Sequence, residues 1–323
     1  MTWRISIFIM VLIGLASCKE KKQEEIPAVV VEAPVKPATY TSLDHLIEAE
    51  ELKEILHEPT VKIVHFGREK QYKEGHIEGA LNVWRTDITD ASYPYGGMMC
   101  SKNQLENLLS SKGIQTNDLI VVYDHVASCD AARFWWVLEN YGFQNIKILN
   151  GGIDSWSAIG EKRTRETPIV AKSNFKLPQE TPLTSYVDKE EMVALIDREI
   201  PPVILDTRTL NEYTGLRRKK GAKRGGRIPG SIFMDWANAV NHSGDKKFKS
   251  YKDLEAMYAG IIHNKEEPVI AYCHSGVRSA HTTFVLTELL GYKNVRNYDG
   301  SWTEWSQFKE YTKERDSITT ILQ

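Results

Sequence analysis

The chain is poor in cysteine, in net charge and in long apolar runs. Its 323 residues include only 4 cysteines, which is too few for a disulfide scaffold. A formal net charge of −2 gives no reason to expect a nucleic-acid partner. The apolar stretch at residues 5–15 is too short to span a bilayer as a mature helix. The sequence shows no metal-ligand spacing, phosphate-binding glycine loop or nucleotide fingerprint, so we expect neither a metal nor a cofactor.

Strand and helix patterns alternate along most of the chain. A length of 323 residues with 41% hydrophobic residues is enough for about two domains, each with its own core. Runs of β-branched residues predict strands and amphipathic periods predict helices. We expect strands at 61–66, 119–123, 146–149, 203–205 and 269–272, and helices at 43–56, 102–111, 131–141, 189–196, 251–259 and 280–290. This alternation predicts an α/β fold with parallel sheets that are covered by helices on both faces.

One loop carries most of the chemical information. Cys273 follows the apolar run 268–272 and stands just before a helical pattern. Unpaired backbone N–H groups at the start of a helix favour an anion, so this thiol should ionise readily. We interpret Cys273 as a nucleophile. The alternative is a buried structural cysteine, which the small and polar neighbours disfavour. The rest of the predicted active-site loop is His274, Ser275, Gly276, Val277 and Arg278.

Four motifs in a fixed order resemble the rhodanese (sulfurtransferase) family. The six residues from Cys273 to Arg278 are similar to the loop in which the family's cysteine carries a persulfide. Upstream, Asp206 and Arg208 match the family's Asp-x-Arg at a strand end, and residues 226–231 match its Ile-Pro-Gly turn with Arg227 in place of His. Downstream, residues 294–305 are similar to the strand, turn and helix that close the domain.

An internal repeat extends the resemblance to a tandem sulfurtransferase. Residues 74–80, 119–124 and 145–156 pair with residues 225–231, 268–273 and 294–305. The chain is therefore expected to hold two rhodanese-like domains. In the first copy Asp124 stands at the place of the nucleophile, and a carboxylate cannot carry a transferable sulfur. Only the second copy, with Cys273, is expected to be catalytic.

The resemblance implies a two-step transfer. Cys273 would take sulfur from a small anionic donor, thiosulfate or 3-mercaptopyruvate, and pass it to a thiol or cyanide. Backbone N–H groups of the loop would stabilise the anionic sulfur. Asp206 and Arg208 would support the loop or form a purely structural ion pair. Arg278 is expected to hold an oxyanion of the donor, and the basic run at 217–227 either supplies further charge or is a solvated loop.

Two other functions stay open at this point. A cysteine-loop phosphatase or arsenate reductase also places an arginine after its cysteine, but such loops have five intervening residues where Cys273 and Arg278 enclose four. A non-enzymatic module that carries persulfide to a protein partner would need the same loop. Turnover with small acceptors would separate this carrier from a free enzyme.

The N-terminus is interpreted as a targeting signal. A basic start, an apolar stretch and the sequence Leu15-Ala16-Ser17-Cys18 are typical of a bacterial lipoprotein signal. Lipid on Cys18 would then attach the protein to a membrane of the cell envelope. Cys100 and Cys129 are interpreted as two ordinary thiols, with a bridge between them as the alternative. The expected order is a signal peptide at 1–17, a tether at 18–40, an inactive domain at 41–165, a linker at 166–184 and a catalytic domain at 185–323.

Overall fold

The computed structural model describes residues 39–178 and 185–308. The predicted signal peptide, the lipidation site Cys18 and nearly all of the tether lie outside the described residues. So do residues 179–184 of the linker and the C-terminal residues 309–323. Within the described ranges, no helix is both long and apolar enough to cross a membrane.

Two five-stranded parallel sheets form the framework. The strands of the first sheet are β1 (Leu46–Ile47), β2 (Val61–Phe66), β3 (Leu81–Val83), β4 (Leu119–Tyr123) and β5 (Ile146–Leu149). Those of the second are β6 (Tyr186–Val187), β7 (Val203–Asp206), β8 (Ile232–Phe233), β9 (Val269–Tyr272) and β10 (Val295–Tyr298). The spatial orders are β1-β5-β4-β2-β3 and β6-β10-β9-β7-β8, so both sheets have the same topology. The predicted α/β fold with two similar domains is confirmed.

Helices lie between the strands and cover the sheets. In the first domain they are α1 (Ala49–Ile55), α2 (Glu69–Glu74), α3 (Lys102–Ser111), α4 (Cys129–Asn140) and α5 (Gly152–Ala158). In the second they are α6 (Lys189–Ile196), α7 (Leu210–Tyr213), α8 (Tyr251–Tyr258), α9 (Val277–Phe284) and α10 (Ser301–Trp305). Ser101, Asp188 and Ser250 accept a first-turn N–H of α3, α6 and α8, which explains why these helices begin where they do.

The two domains share one core. Helices α4 and α9 pack against each other, and their buried side chains form one apolar cluster with residues from both sheets. Trp135 of α4 meets Phe284 of α9 edge to face, with ring centroids 4.9 Å apart. The outer face of each sheet has its own smaller cluster, around Trp156 in the first domain and Trp302 in the second. The shared core fixes the loop before α9 relative to the first domain.

Three segments differ from the expectation or refine it. The helix predicted at 43–56 begins only at Ala49, because Leu46 and Ile47 pair with β5 as a strand. Helix α9 ends at Phe284, and one π-helical turn continues to Leu289. Part of the predicted linker lies on the first domain, since the Phe175 side chain is fully buried there.

Candidate functional site

Cys273 lies at the carboxyl end of β9, where an open parallel sheet places its ligands. The loop then turns into α9 through Gly276, whose φ is 74°. A Cβ at this position would come within 2.7 Å of Arg133 Nη1 and 2.9 Å of the Asp299 carbonyl oxygen. Glycine is therefore required both by the left-handed backbone and by the close contact with the first domain.

The thiol of Cys273 is buried and yet acidic. Burial raises its pKa, but the charge of Arg278 and hydrogen bonds from Ser279 and the Ser275 N–H lower it to about 7. The Ser279 side chain is fully buried. A thiol with a pKa near 7 is about half thiolate at neutral pH without a general base.

Arg278 forms a forked ion pair with Glu212. Its Nη1 and Nη2 donate to the two carboxylate oxygens at 2.7 and 2.9 Å, and the two side chains are 13% and 4% exposed. Burial raises the pKa of Glu212, but the arginine lowers it to about 2, so the pair is ionised. The fork of Arg278 is thus occupied by protein. This geometry differs from the expected clamp on a donor oxyanion and instead places a fixed positive charge beside the sulfur.

The first residues of α10 form hydrogen bonds with the backbone of the Cys273 loop. The Ser301 Oγ accepts the N–H groups of Cys273 and Gly276, both at 3.1 Å. The N–H of Thr303 donates to the His274 carbonyl at 2.8 Å, and that of Trp302 donates to the Cys273 carbonyl at 3.1 Å. The Gly276 N–H, one of the loop N–H groups that were expected to stabilise the sulfur, is therefore used by a hydroxyl.

Asp206 and Arg208 form a buried ion pair under the loop. Arg208 Nε donates to the two carboxylate oxygens at 2.8 and 3.1 Å, and neither side chain is more than 1% exposed. The Tyr272 hydroxyl donates to Asp206 at 2.5 Å, and Arg208 Nη2 donates to the Gly226 carbonyl at 2.8 Å. The pair thereby links β9, which ends just before Cys273, to the turn at residues 226–231.

Part of the basic run lies against the loop. The His274 ring nitrogen Nε2 is 3.0 Å from the Lys220 carbonyl oxygen. Lys219 is close enough for the charges of Arg278, Glu212 and Cys273 to act on its amine, and burial followed by Arg278 lowers its pKa. Farther along, Arg227 stacks over the Tyr213 ring at 4.1 Å. The run therefore has one segment beside the Cys273 loop, at Lys219 and Lys220, and a second segment, at Arg227, that packs on Tyr213.

A cavity of about 510 Å³ opens between the two domains beside the loop. His274, Ser275 and Val277 form one wall, and Lys220 and Gly221 border it. The opposite wall comes from the first domain. Its residues include Arg85, Ile88, Ala91, Gly96, Gly97 and Arg133. A Cβ on Gly97 would come within 2.7 Å of the Ser275 Cβ, so the first domain directly touches the loop.

In the first domain Asp124 occupies the equivalent loop. Its carboxylate accepts the N–H groups of Val126, Ser128, Asp130 and Ala131 at 2.6 to 2.9 Å, and its side chain is fully buried. Burial, followed by the charge of Asp130, raises its pKa. The carboxylate fills the anion cradle that this loop forms. The structure therefore places a buried carboxyl group where the second domain has a thiol.

The other described cysteines are free and buried. Burial raises the pKa of Cys100 to about 12 and that of Cys129 well above its usual value. These thiols are expected to stay protonated and unreactive. Within residues 39–178 and 185–308, no group of three or more metal-ligating side chains is placed to hold a metal ion.

Sequence reasoning missed several residues around the loop. Ser301, Glu212 as the partner of Arg278, and the contribution of Arg85 and Arg133 from the first domain come from tertiary contacts. No motif indicated these contacts, because they depend on how the loops and the domains pack.

The topology and the loop define a protein with two α/β domains and one acidic thiol at a strand end. The rhodanese-like domain family matches residues 48–159 and 188–308, and the chain belongs to this family. It is 33% identical over 276 residues to the putative thiosulfate sulfurtransferase SseA of Mycobacterium bovis, covering 83% of this chain and 90% of that protein. It is 32% identical to the thiosulfate sulfurtransferase of Corynebacterium glutamicum, with 82% and 89% covered.

Solved structures show the same fold at lower sequence identity. The wild-type structure of EanB superposes with a TM-score of 0.75 at 24% identity, covering 84% of this chain and 69% of that chain. An anaerobic ergothioneine biosynthesis enzyme from Chlorobium limicola superposes with a TM-score of 0.72 at 23% identity, covering 85% and 71%. These similarities extend to the fold alone.

Proposed function

We propose that the protein is a sulfurtransferase that moves a sulfane sulfur through a persulfide on Cys273. The observation that carries the proposal is the placement of a buried thiol directly after β9, in a loop that leads into α9 and includes Arg278. Although burial raises the pKa of this thiol, the charge of Arg278 and hydrogen bonds from Ser279 and Ser275 lower it to about 7. A structural cysteine in the same burial would have a raised pKa, as Cys100 and Cys129 do. The relatives that are named thiosulfate sulfurtransferases support the same chemistry.

The first step loads the sulfur. The Cys273 thiolate attacks the outer sulfur of thiosulfate, a new S–S bond forms to Sγ, and the old S–S bond breaks. Its electron pair leaves with sulfite, so the charge of the reactants is conserved. Arg278 and the hydrogen bonds from Ser275 and Ser279 stabilise the thiolate before the step and, by their position, the persulfide anion after it. 3-Mercaptopyruvate is the second candidate donor.

The second step unloads it. An acceptor thiolate or cyanide attacks the outer sulfur of the persulfide. The bond between the two sulfurs on the enzyme breaks, and its electron pair returns to Sγ of Cys273. No oxidant or metal enters the cycle. Asp206 and Arg208 act as positioning residues for the strand end, and Asp124 keeps the first domain outside the chemistry.

Phosphate chemistry has less support from the geometry. A cysteine-loop phosphatase uses its loop N–H groups and its arginine to surround a tetrahedral anion. Here the Cys273 and Gly276 N–H groups are bonded to Ser301, and the fork of Arg278 is held by Glu212. These two N–H groups and this guanidinium fork are therefore not free to surround a phosphate.

Mass spectrometry of the purified protein tests the proposal. Incubation with thiosulfate, and separately with 3-mercaptopyruvate, should add the mass of one sulfur atom to the Cys273 peptide, and cyanide should remove it. Cys273→Ser should show neither change. A wild-type protein that gains no sulfur from either donor would rule the proposal out. Sulfur that loads but never passes to any small acceptor would favour the persulfide carrier for a protein partner.

We propose separately that the N-terminus is a lipoprotein signal. The sequence from Leu15 to Cys18 supports cleavage before Cys18 and lipid attachment there, which would place the enzyme on a membrane of the bacterial cell envelope. Cys18→Ala should release the protein from the membrane fraction or block its processing. Unchanged retention with normal cleavage would refute this proposal.

A further inference from the structure

The cavity between the domains has a composition that suits an organic anion. Its volume of about 510 Å³ lies in the range of pockets for organic ligands and is far larger than an inorganic dianion needs. Ile88, Ala91 and Val277 give it apolar walls. Three cationic side chains border it, and none of its described lining residues is a carboxylate.

The three cations are not equally available. Arg133 is buried and already bonded to Asp299 and to the carbonyl oxygens of Gly97 and Gly276. Arg85 donates from Nε and Nη2 to Asp130, and its Nη1 has no partner among the described residues. Lys220 is exposed, and its ammonium makes no hydrogen bond or ion pair within the part of the chain that the structure describes. The free positive charge of the cavity is therefore mainly that of Lys220.

The cavity adjoins the reacting sulfur. His274 and Ser275, which directly follow Cys273, form part of its wall, and the Lys220 carbonyl holds the His274 ring at 3.0 Å. A molecule in the cavity thus lies beside the loop, and Lys220 borders the same cavity. A persulfide on Cys273 would extend outward from the loop by one sulfur atom.

We propose that the cavity binds the sulfur acceptor and that this acceptor is an organic thiol with a carboxylate, which Lys220 recognises with help from Arg85. This inference rests on the proposed sulfurtransferase function and adds the substrate class of its second step. The acceptor thiolate forms a bond to the outer sulfur of the persulfide. The S–S bond to Cys273 breaks and its electron pair returns to Sγ, so the acceptor leaves as an organic persulfide and no co-reactant is needed.

A single-turnover experiment isolates this step. The full chain is loaded with thiosulfate, freed of excess donor, and mixed with 3-mercaptopropionate or with 2-mercaptoethanol, which lacks the carboxylate. The rate at which Cys273 loses its added sulfur is followed by mass spectrometry. The ratio of the two rate constants is then compared between proteins, because the intrinsic reactivities of the two thiols cancel in that comparison.

Lys220→Gln should lower the rate constant for 3-mercaptopropionate roughly three- to tenfold and that for 2-mercaptoethanol much less, as expected for one exposed charge. Lys220→Arg should keep the wild-type ratio. The matched control is Lys223→Gln, which changes an exposed lysine of the same segment that does not line the cavity. The wild-type preference for the carboxylate should also shrink at high ionic strength.

The outcomes separate the two proposals. A ratio in Lys220→Gln equal to that of the wild type, or an equal change in Lys223→Gln, would overturn the acceptor site while persulfide loading stays intact. The same holds if Lys220→Gln slows loading from thiosulfate and leaves unloading alone, because the lysine would then serve the donor. A wild-type protein that never loads sulfur would overturn the proposed function and this inference with it.

Discussion

Arg133 of the first domain and Asp299 of the second form a buried ion pair, with 2.6 Å between Nη1 and Oδ1 and exposures of 3% and 0%. The same guanidinium donates to the Gly276 carbonyl in the active-site loop and to Gly97 in the first domain. Asp299 also accepts the Met99 N–H at 2.7 Å. One arginine of the first domain thus holds both the domain interface and the loop that carries the thiol.

Removing this arginine should be costly. We expect Arg133→Met to lower the free energy of unfolding by about 3–5 kcal/mol, because it leaves Asp299 buried without its partner. Denaturant unfolding measures the loss. Arg296→Met is the control, since its ion pair with Glu191 is 31% and 41% exposed and should contribute less than about 1 kcal/mol. Equal losses in the two variants would show that the buried pair is not the main link between the domains.

The reactivity of Cys273 should depend on pH with a midpoint of about 7, and Arg278→Met should raise that midpoint. The variant removes the nearby positive charge and leaves the Glu212 carboxylate unpaired beside the sulfur, so the thiolate loses stability twice. Alkylation of the Cys273 peptide by a small reagent, measured across pH, gives both midpoints. Adding Glu212→Gln should recover part of the shift. The exposed Arg198→Met serves as the control, and an unchanged midpoint in Arg278→Met would contradict the assignment.

Asp124→Ala should lower the stability of the protein and leave the loading of sulfur on Cys273 unchanged. The change leaves four buried N–H groups without an acceptor, so we expect a loss of at least about 3 kcal/mol in the free energy of unfolding. Asp124→Asn, which keeps an oxygen acceptor, should lose less. Sulfur loading per folded molecule should persist in both variants because the nucleophile is in the other domain. Loss of loading in folded Asp124→Asn would show that the first domain takes part in the reaction.

The protein should lose stability in mild acid because of buried histidines. Burial lowers the pKa of His281 to about 3. Burial is also the main reason why the pKa values of His65 and His274 are lowered to about 4. The unfolded chain binds protons near pH 6.5 where the folded chain does not, so stability is full above that pH. It should fall below pH 6.5 by up to roughly 1.4 kcal/mol per pH unit for each such histidine.

The free energy of unfolding, measured between pH 7 and 4.5 in the wild type and in His281→Phe, tests whether stability falls in acid because of this histidine. The His281 ring lies between Phe248 and Trp236 and has no hydrogen-bond partner among the described residues, so phenylalanine is tolerated by its surroundings. The variant should show a shallower loss in acid. A steeper loss would mean that His281 is charged in the folded protein.

The fold was largely predictable because its signals are local. The middle strand of each sheet, β4 or β9, is a short, fully apolar run. The thiol directly follows β9, so this strand, the loop and the start of the next helix follow from neighbouring residues. The edge strand Leu46–Ile47 was not predictable, since two residues become a strand only by pairing with β5. Local sequence describes a helix there equally well.

Of the candidate site, only the position of the thiol at the end of a strand was predictable. Arg278 and Glu212 are 66 positions apart, and neither position shows alone that they will meet. Sequence position alone also does not show that the Ser301 hydroxyl accepts two loop N–H groups, or that Lys220 of the basic run borders the cavity. These contacts depend on how the loops after different strands converge at one edge of the sheet.

Asp124 also determines how many equivalents of sulfur the protein can hold. Four N–H groups of the first loop are saturated by the chain's own carboxylate from the moment that domain folds. Those four N–H groups are therefore not available to stabilise a sulfur anion in the first loop. Under the proposed function, a chain built from two similar halves titrates as a single site, and its full load is one sulfur atom per molecule.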